Sequence, residues 1–239
     1  MNGTNGTANS NAYCSAEREA IYRVIRERRD MRHFTPGSIE PEVLARLLNA
    51  AHQAPSVGLM QPWRFIRISS TELRTAIYQL VAKERDATAD ALGERSSEFL
   101  RLKVEGINDC AEVIVAALMD QREPHIFGRR TLPQMDLASV SCAIQNLWLA
   151  ARAEGLGMGW VSMFDPEALA ALLKLPAGAE PVGILCLGQV EKFYDAPMLA
   201  EEGWSDIAEA NSVMFEDEWD KPLSLTHSQK NPNDSDNPS

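Results

Sequence analysis

The sequence predicts an α+β fold, with several long helices packed around a small sheet. Two stretches, Thr71 to Gly106 and Met135 to Glu154, are long and rich in helix formers. Three short apolar runs, Val113 to Met119, Trp160 to Phe164 and Pro181 to Val190, have the length of strands. With 239 residues and 45% hydrophobic content, the chain can bury one substantial core. No internal repeat or long linker divides it, so one domain is expected over 14–221. Disordered tails poor in apolar residues are expected at 1–13 and 222–239.

In the first helix, Ile21, Val24 and Ile25 recur at the three-and-four spacing of a buried face, and Arg28 continues that stripe. Pro36 and Gly37 then make a turn, and Pro41 opens a second helix with Leu44, Leu47, Leu48 and Ala51 inward. The Pro- and Gly-containing stretch from Pro55 to Trp63 leads into a short β-like run, Arg64 to Ile68. Residues 71–106 are charged and helical in character, with a break near Gly93. Val113 to Met119 is apolar without alternation, as in a strand covered on both faces. A loop holding Pro124, Gly128 and Pro133 precedes the helix from Met135 to Glu154, which is apolar nearly all round and belongs at the centre of the fold or in an interface. Gly155 caps that helix, Trp160 to Phe164 follows as a strand, Asp165 and Pro166 start a short helix, and Pro181 to Val190 is the last strand.

Acidic residues outnumber basic ones 34 to 23, for a formal charge of −11, which argues against nonspecific nucleic-acid binding and against an anionic membrane surface. No apolar run approaches the roughly 18 to 20 residues of a membrane span, and the N-terminus lacks the pattern of a signal peptide, so a cytoplasmic location is expected. Cys14, Cys110, Cys142 and Cys186 are scattered without metal-ligand spacing and are expected to be reduced and mostly buried. Asn2 and Asn5 begin glycosylation acceptor patterns that a cytoplasmic protein would not use.

Arg28, Arg29, Asp30, Met31 and Arg32 place one carboxylate inside a knot of guanidinium groups. Guanidinium is always charged and its fork of donors matches phosphate, so the knot suits an anionic ligand; the plainer reading is a helix end closed by basic residues that favour its dipole. Some thirty residues on, His52 to Trp63 supplies a hydroxyl at Ser56, a flexible Gly58, an amide at Gln61 and an aromatic anchor at Trp63. An amide and exposed backbone groups can read the edge of a planar heterocycle while arginines hold its phosphate, which favours flavin mononucleotide (FMN) over a bare phosphate ester. The glycines at 155–159 follow a helix and precede a strand, the reverse of a dinucleotide fingerprint. P-loop, HExxH and GxSxG patterns are absent. His33, His52, His125 and His227 share no ligand spacing, so no metal is expected.

The basic knot followed by Gln61-Pro62-Trp63 resembles the nitroreductase superfamily of FMN proteins, over about Ala16 to Val190. More narrowly, Arg28 to Arg32, Ala50 to Gly58, Pro133 to Asp136 and Gly159 to Ser162 resemble its flavin-destroying branch, the 5,6-dimethylbenzimidazole synthases. Ordinary nitroreductases usually carry Ser where this chain has Asp30, and Asn where it has Leu59 and Met60. The resemblance implies a small, mainly antiparallel mixed sheet ringed by helices, and an intertwined homodimer with the apolar helix from Met135 to Glu154 at its core. It implies reduced FMN as a substrate that is consumed with O2, yielding 5,6-dimethylbenzimidazole and D-erythrose 4-phosphate, with a separate reductase supplying FMNH2. Arg28, Arg29 and Arg32 would take the phosphate and ribityl end, with Asp30 and Met31 between them. Ser56 and Gln61 would place the chain and ring, Trp160, Val161 and Ser162 would lie near the reactive centre, and Lys103 is a further candidate contact. Asp30 is expected as general acid/base, and Ser162 as the donor that steers the flavin toward fragmentation. The rivals are an NAD(P)H-dependent flavin reductase or nitroreductase that retains FMN, and a noncatalytic flavin-binding protein.

Overall fold

The computed structural model describes residues 11–223. Asn2, Asn5, His227 and most of both expected tails lie outside them. The chain divides into two compact units, 1–198 and 199–239. The first holds helices α1 (Ser15–Glu27), α2 (Pro41–His52), α3 (Thr71–Ala91), α4 (Ser96–Arg101), α5 (Met135–Ala153) and α6 (Pro166–Leu172), and strands β1 (Trp63–Ile68), β2 (Glu112–Leu118), β3 (Gly157–Val161) and β4 (Glu180–Gly188). A short turn of helix at Met198–Glu201 begins at the last residue of the first unit, and the second holds a 3-10 turn at Ala210–Ser212 and a bridge between Phe215 and Pro222.

The four strands form one sheet in the order β1-β2-β4-β3, and every pairing is antiparallel. A single parallel bridge, Asp30 with Met158, supplies the mixed character. Both faces of the sheet are covered, which explains the unbroken apolar runs of β2 and β4. Ile114, Ala116, Leu185 and Leu187 point into a core with Leu44, Leu47, Ala51, Ile144 and Leu147 of α2 and α5. Val113, Val115, Ile184 and Cys186 point the other way, against Ile77 and Val81 of α3 and Leu169 of α6. Strict alternation across two cores fixes the register, because a one-residue slip would exchange every side chain between them.

The local signals behave as the sequence implies in several places. Pro41 stands at the start of α2, and Asp165 caps α6 by accepting from the amides of Glu167 and Ala168. Gly155, with φ of +76°, ends α5: the Leu156 amide donates to Ala151 O and the Gly155 amide to Arg152 O, a Schellman turn.

Three expectations are corrected. The apolar stripe of α1 is not buried, since Ile21 and Ile25 are 48% and 50% exposed and no residue of the helix is buried. The strand expected at 160–164 begins at Gly157, because Gly157 and Gly159 give the chain at Met31 room to lie against β3. Only Cys110 and Cys186 are buried; Cys14 and Cys142 are exposed, and all four are free thiols. Among the described residues, no helix is long and apolar enough to cross a membrane, and no group of three or more His, Cys, Asp or Glu could hold a metal ion.

Candidate active site

The knot lies along the free edge of β3. Helix α1 ends at Glu27, and Arg28 turns to extended backbone, carrying the next residues onto the strand. The Met31 amide donates to Met158 O at 2.9 Å. A methyl group at Gly159 would stand 2.3 Å from Met31 O, so only glycine permits this approach. Beyond that bond, side chains take over from the main chain: Asp30 Oδ1 accepts from the Trp160 amide at 3.0 Å, and Arg32 Nη2 donates to Trp160 O at 2.9 Å. The two side chains close on each other, Arg32 Nη2 to Asp30 Oδ2 at 2.6 Å. They bracket one residue of an edge strand, occupying the amide and the carbonyl that another strand would otherwise pair with.

Asp30 therefore has a fixed orientation. Its side chain is nevertheless 42% exposed, against 10% for Arg32, so part of the carboxylate faces open space. Desolvation by burial raises its pKa above the ordinary carboxylate value, and outweighs the opposing pull of Arg32, the Trp160 amide and Arg28. A carboxyl group whose pKa is raised by burial while cations stand beside it is suited to exchanging protons.

The three arginines differ. Arg28 stacks its guanidinium over the Trp148 ring, 4.6 Å from the centroid, and makes no ion pair or hydrogen bond through it among the described residues. Arg29 spends its donors on the carbonyls of Arg26, Arg28 and Asp195. Arg32 is buried against Asp30 and Trp160 O. Arg29 Nε and Arg32 Nη1 are buried without a hydrogen-bond partner among the described residues. Met31 is buried and its side chain packs rather than binds; Val161 likewise points into the core beside α6.

The second motif is held by the same helix as the first. Ser139 of α5 accepts from the Val57 amide at 3.0 Å, while Trp148 of α5 donates to Arg29 O at 3.1 Å. These anchors stand about 14 Å apart along the helix axis. Within the loop, Ser56 Oγ accepts from the Gln61 amide, and Gly58, Leu59 and Gln61 all take positive φ. For Leu59 and Gln61 that conformation is strained, a feature that clusters at ligand sites. Trp63 is buried and donates to His52 Nδ1, so it is a core anchor rather than a ring contact. Ser162 is exposed just beyond the end of β3. Lys103 pairs with Asp109 and has no contact with the knot among the described residues.

Sequence reasoning missed Trp148, Tyr194 and Asp195, which reach the knot from 119 to 166 positions away. It also missed Arg122, Arg129 and the buried Asp136 they share, which fix the loop before α5. Of these only Asp136 lay inside a quoted motif, and nothing local marks its partners.

A profile of the nitroreductase family matches residues 25–189. The chain belongs to the nitroreductase family. Within that family it is 39% identical over 193 residues to a protein of Rhodobacter capsulatus, covering 79% of this chain and 92% of the other. It is 40% identical over 191 residues to one of Rhodospirillum rubrum, covering 78% and 90%. Both relatives bear the name 5,6-dimethylbenzimidazole synthase. The family fold is shared with the NADPH:FMN oxidoreductase of Vibrio harveyi, solved with NAD+, at a TM-score of 0.65 and 20% identity over 86% of this chain and 80% of that one.

Proposed function

We propose that this chain is a 5,6-dimethylbenzimidazole synthase, taking reduced FMN and O2 as substrates and releasing 5,6-dimethylbenzimidazole for the lower ligand of cobalamin together with D-erythrose 4-phosphate. The observation that carries the reading is Asp30, an oriented, half-open carboxyl group of raised pKa inside a phosphate-type arginine knot. The names of the two relatives, matched over nine-tenths of their length, support it.

The residues suit a flavin phosphate. Arg28 stacks on Trp148 and leaves its guanidinium donors unused, and Arg29 Nε and Arg32 Nη1 are buried donors without partners, among the described residues. Arg28, Arg29 and Arg32 would hold the phosphate and ribityl end, Ser56 and Gln61 the chain and ring, and Trp160 to Ser162 would flank the ring. Reduced flavin supplies the oxygen chemistry when bound and is itself the molecule dismantled. The protein holds it, excludes water and moves protons.

Asp30 is the general base that takes a proton from the ribityl carbon destined to bridge the two benzimidazole nitrogens. The Trp160 amide and Arg32 hold the carboxylate in one orientation. Its raised pKa lets it retain that proton better than an ordinary carboxyl would. Ser162, free at the strand end, offers a hydroxyl hydrogen that favours fragmentation over simple reoxidation.

A cytoplasmic homodimer fed with FMNH2 by a separate reductase completes the reading. Exposed Ile21, Tyr22 and Ile25 on α1, with Leu132, Met135 and Leu137 before and within α5, support association with a second copy. The test is Asp30→Asn, nearly isosteric. General acid/base assistance is worth about 10²- to 10⁴-fold, so product formation should fall by that factor while FMN affinity changes little. Product at the parent rate would remove Asp30 from the chemistry.

A further inference from the structure

We propose that Tyr194 is a positioning residue for Asp30, acting through the backbone of Arg32 and His33; this rests on the role given to Asp30 above. Past Met31, the bonds to β3 are made by the side chains of Asp30 and Arg32, which leaves the amides of Arg32 and His33 without a strand partner. Both aim at one atom: they donate to the Tyr194 hydroxyl oxygen at 3.2 and 3.3 Å. Two consecutive amides converging on one oxygen form the concavity that elsewhere binds anions. Here a phenol fills it.

With two donors occupying the oxygen, the Tyr194 O–H donates to His33 Nδ1 at 2.6 Å, which assigns the imidazole proton to Nε2. Residues on either side of Tyr194 tie down the same stretch. Asp195 O accepts from Arg29 at 2.7 Å, and the Phe193 ring lies 4.1 Å from the guanidinium of Arg152, which in turn pairs with Glu27 at 2.6 Å. Residues 194 and 195 thus hold positions 29, 32 and 33, on both sides of Asp30, and Phe193 reaches position 27 only through Arg152. Arg32 is one of the two groups that aim the carboxylate, the Trp160 amide being the other, so what places Arg32 helps to place Asp30.

Tyr194→Phe removes the oxygen and little else. In the full-length protein without flavin, amide exchange of Arg32 and His33 should quicken about tenfold. The Trp160 amide, which bonds Asp30 and does not touch Tyr194, should quicken several-fold with them, while the amides of β2 keep the parent rate. A Trp160 amide at the parent rate would overturn the proposal, since Tyr194 would then staple only its own neighbours; so would unchanged Arg32 and His33 amides. In turnover, kcat for benzimidazole should fall about tenfold with KM for reduced FMN within about twofold, and the substitution should cost nothing further in an Asp30→Asn background. A purely KM effect, or losses that add in the double variant, would also overturn it. A parent protein that makes no benzimidazole would sink the proposed function and leave the exchange result to decide the positioning role.

Discussion

Replacing Asp136 by alanine removes the anion that two inward arginines share. Asp136 is 4% exposed; its oxygens lie 2.8 and 2.9 Å from Arg129 Nε, and Oδ2 lies 3.2 Å from Arg122 Nε. Breaking a buried pair by deleting one partner costs about 3–5 kcal/mol, because an unpaired charge stays behind. Arg122 keeps Glu180 and the carbonyls of Met119 and Gly178, whereas Arg129 loses both contacts made by its side chain. The lower end, about 3 kcal/mol, is therefore expected, and for a domain of this size it lowers Tm by roughly 6–12 °C. The loss should reach the site as well. A methyl group at Gly58 would stand 2.8 Å from Phe127 O, so the loop bearing Ser56 and Gln61 leans on the segment that Asp136 fixes. Urea and thermal unfolding of the variant, with an unchanged m value, measure the cost. A loss below about 1 kcal/mol would refute the argument that this network is a buried, mutually dependent one.

Burial raises the Asp30 pKa in the flavin-free protein, so the base form disappears at a higher pH than usual: the acid limb of kcat/KM should lie above the ordinary carboxylate value of about 3.9 and vanish in Asp30→Asn. The same shift has a sign for folding. The native state favours protonated Asp30, so its contribution is complete below the unfolded pKa and fades as pH rises through the folded one; Tm of the parent relative to Asp30→Asn should increase on acidification from about pH 7 to 4. Ser162→Ala should lower the benzimidazole formed per flavin oxidised without altering FMN affinity, and an unchanged ratio would withdraw the hydroxyl from the mechanism. Gly159→Ala should push Met31 off β3 and abolish product, since its methyl group would meet Met31 O at 2.3 Å; full activity would show that the knot need not sit on the strand edge.

What was legible in the sequence was local or periodic. The strand near Val113 could be read because two cores demand apolar residues on both faces, and the end of α5 because Gly155 takes a left-handed turn. The stripe of α1 was read correctly as apolar and wrongly as buried, because periodicity reports a face and not what covers it. Gly157 and Gly159 resembled a turn; they are strand residues, and the reason lies in Met31, more than 120 positions earlier. Asp30 could be picked out by its chemistry. Two residues that fix its neighbours could not, because Trp148 and Tyr194 reach Arg29 and Arg32 through tertiary contacts that leave no spacing to read.

The measurement that bears most directly on the proposed chemistry is to incubate the protein with chemically reduced FMN in air and follow flavin absorbance, benzimidazole and, in a parallel reaction, NAD(P)H. The account predicts irreversible loss of flavin with one 5,6-dimethylbenzimidazole formed for each FMN destroyed. Quantitative return of oxidised FMN with catalytic NAD(P)H consumption would make the chain a flavin reductase, and flavin held without turnover would make it a binding protein; either result would contradict the account.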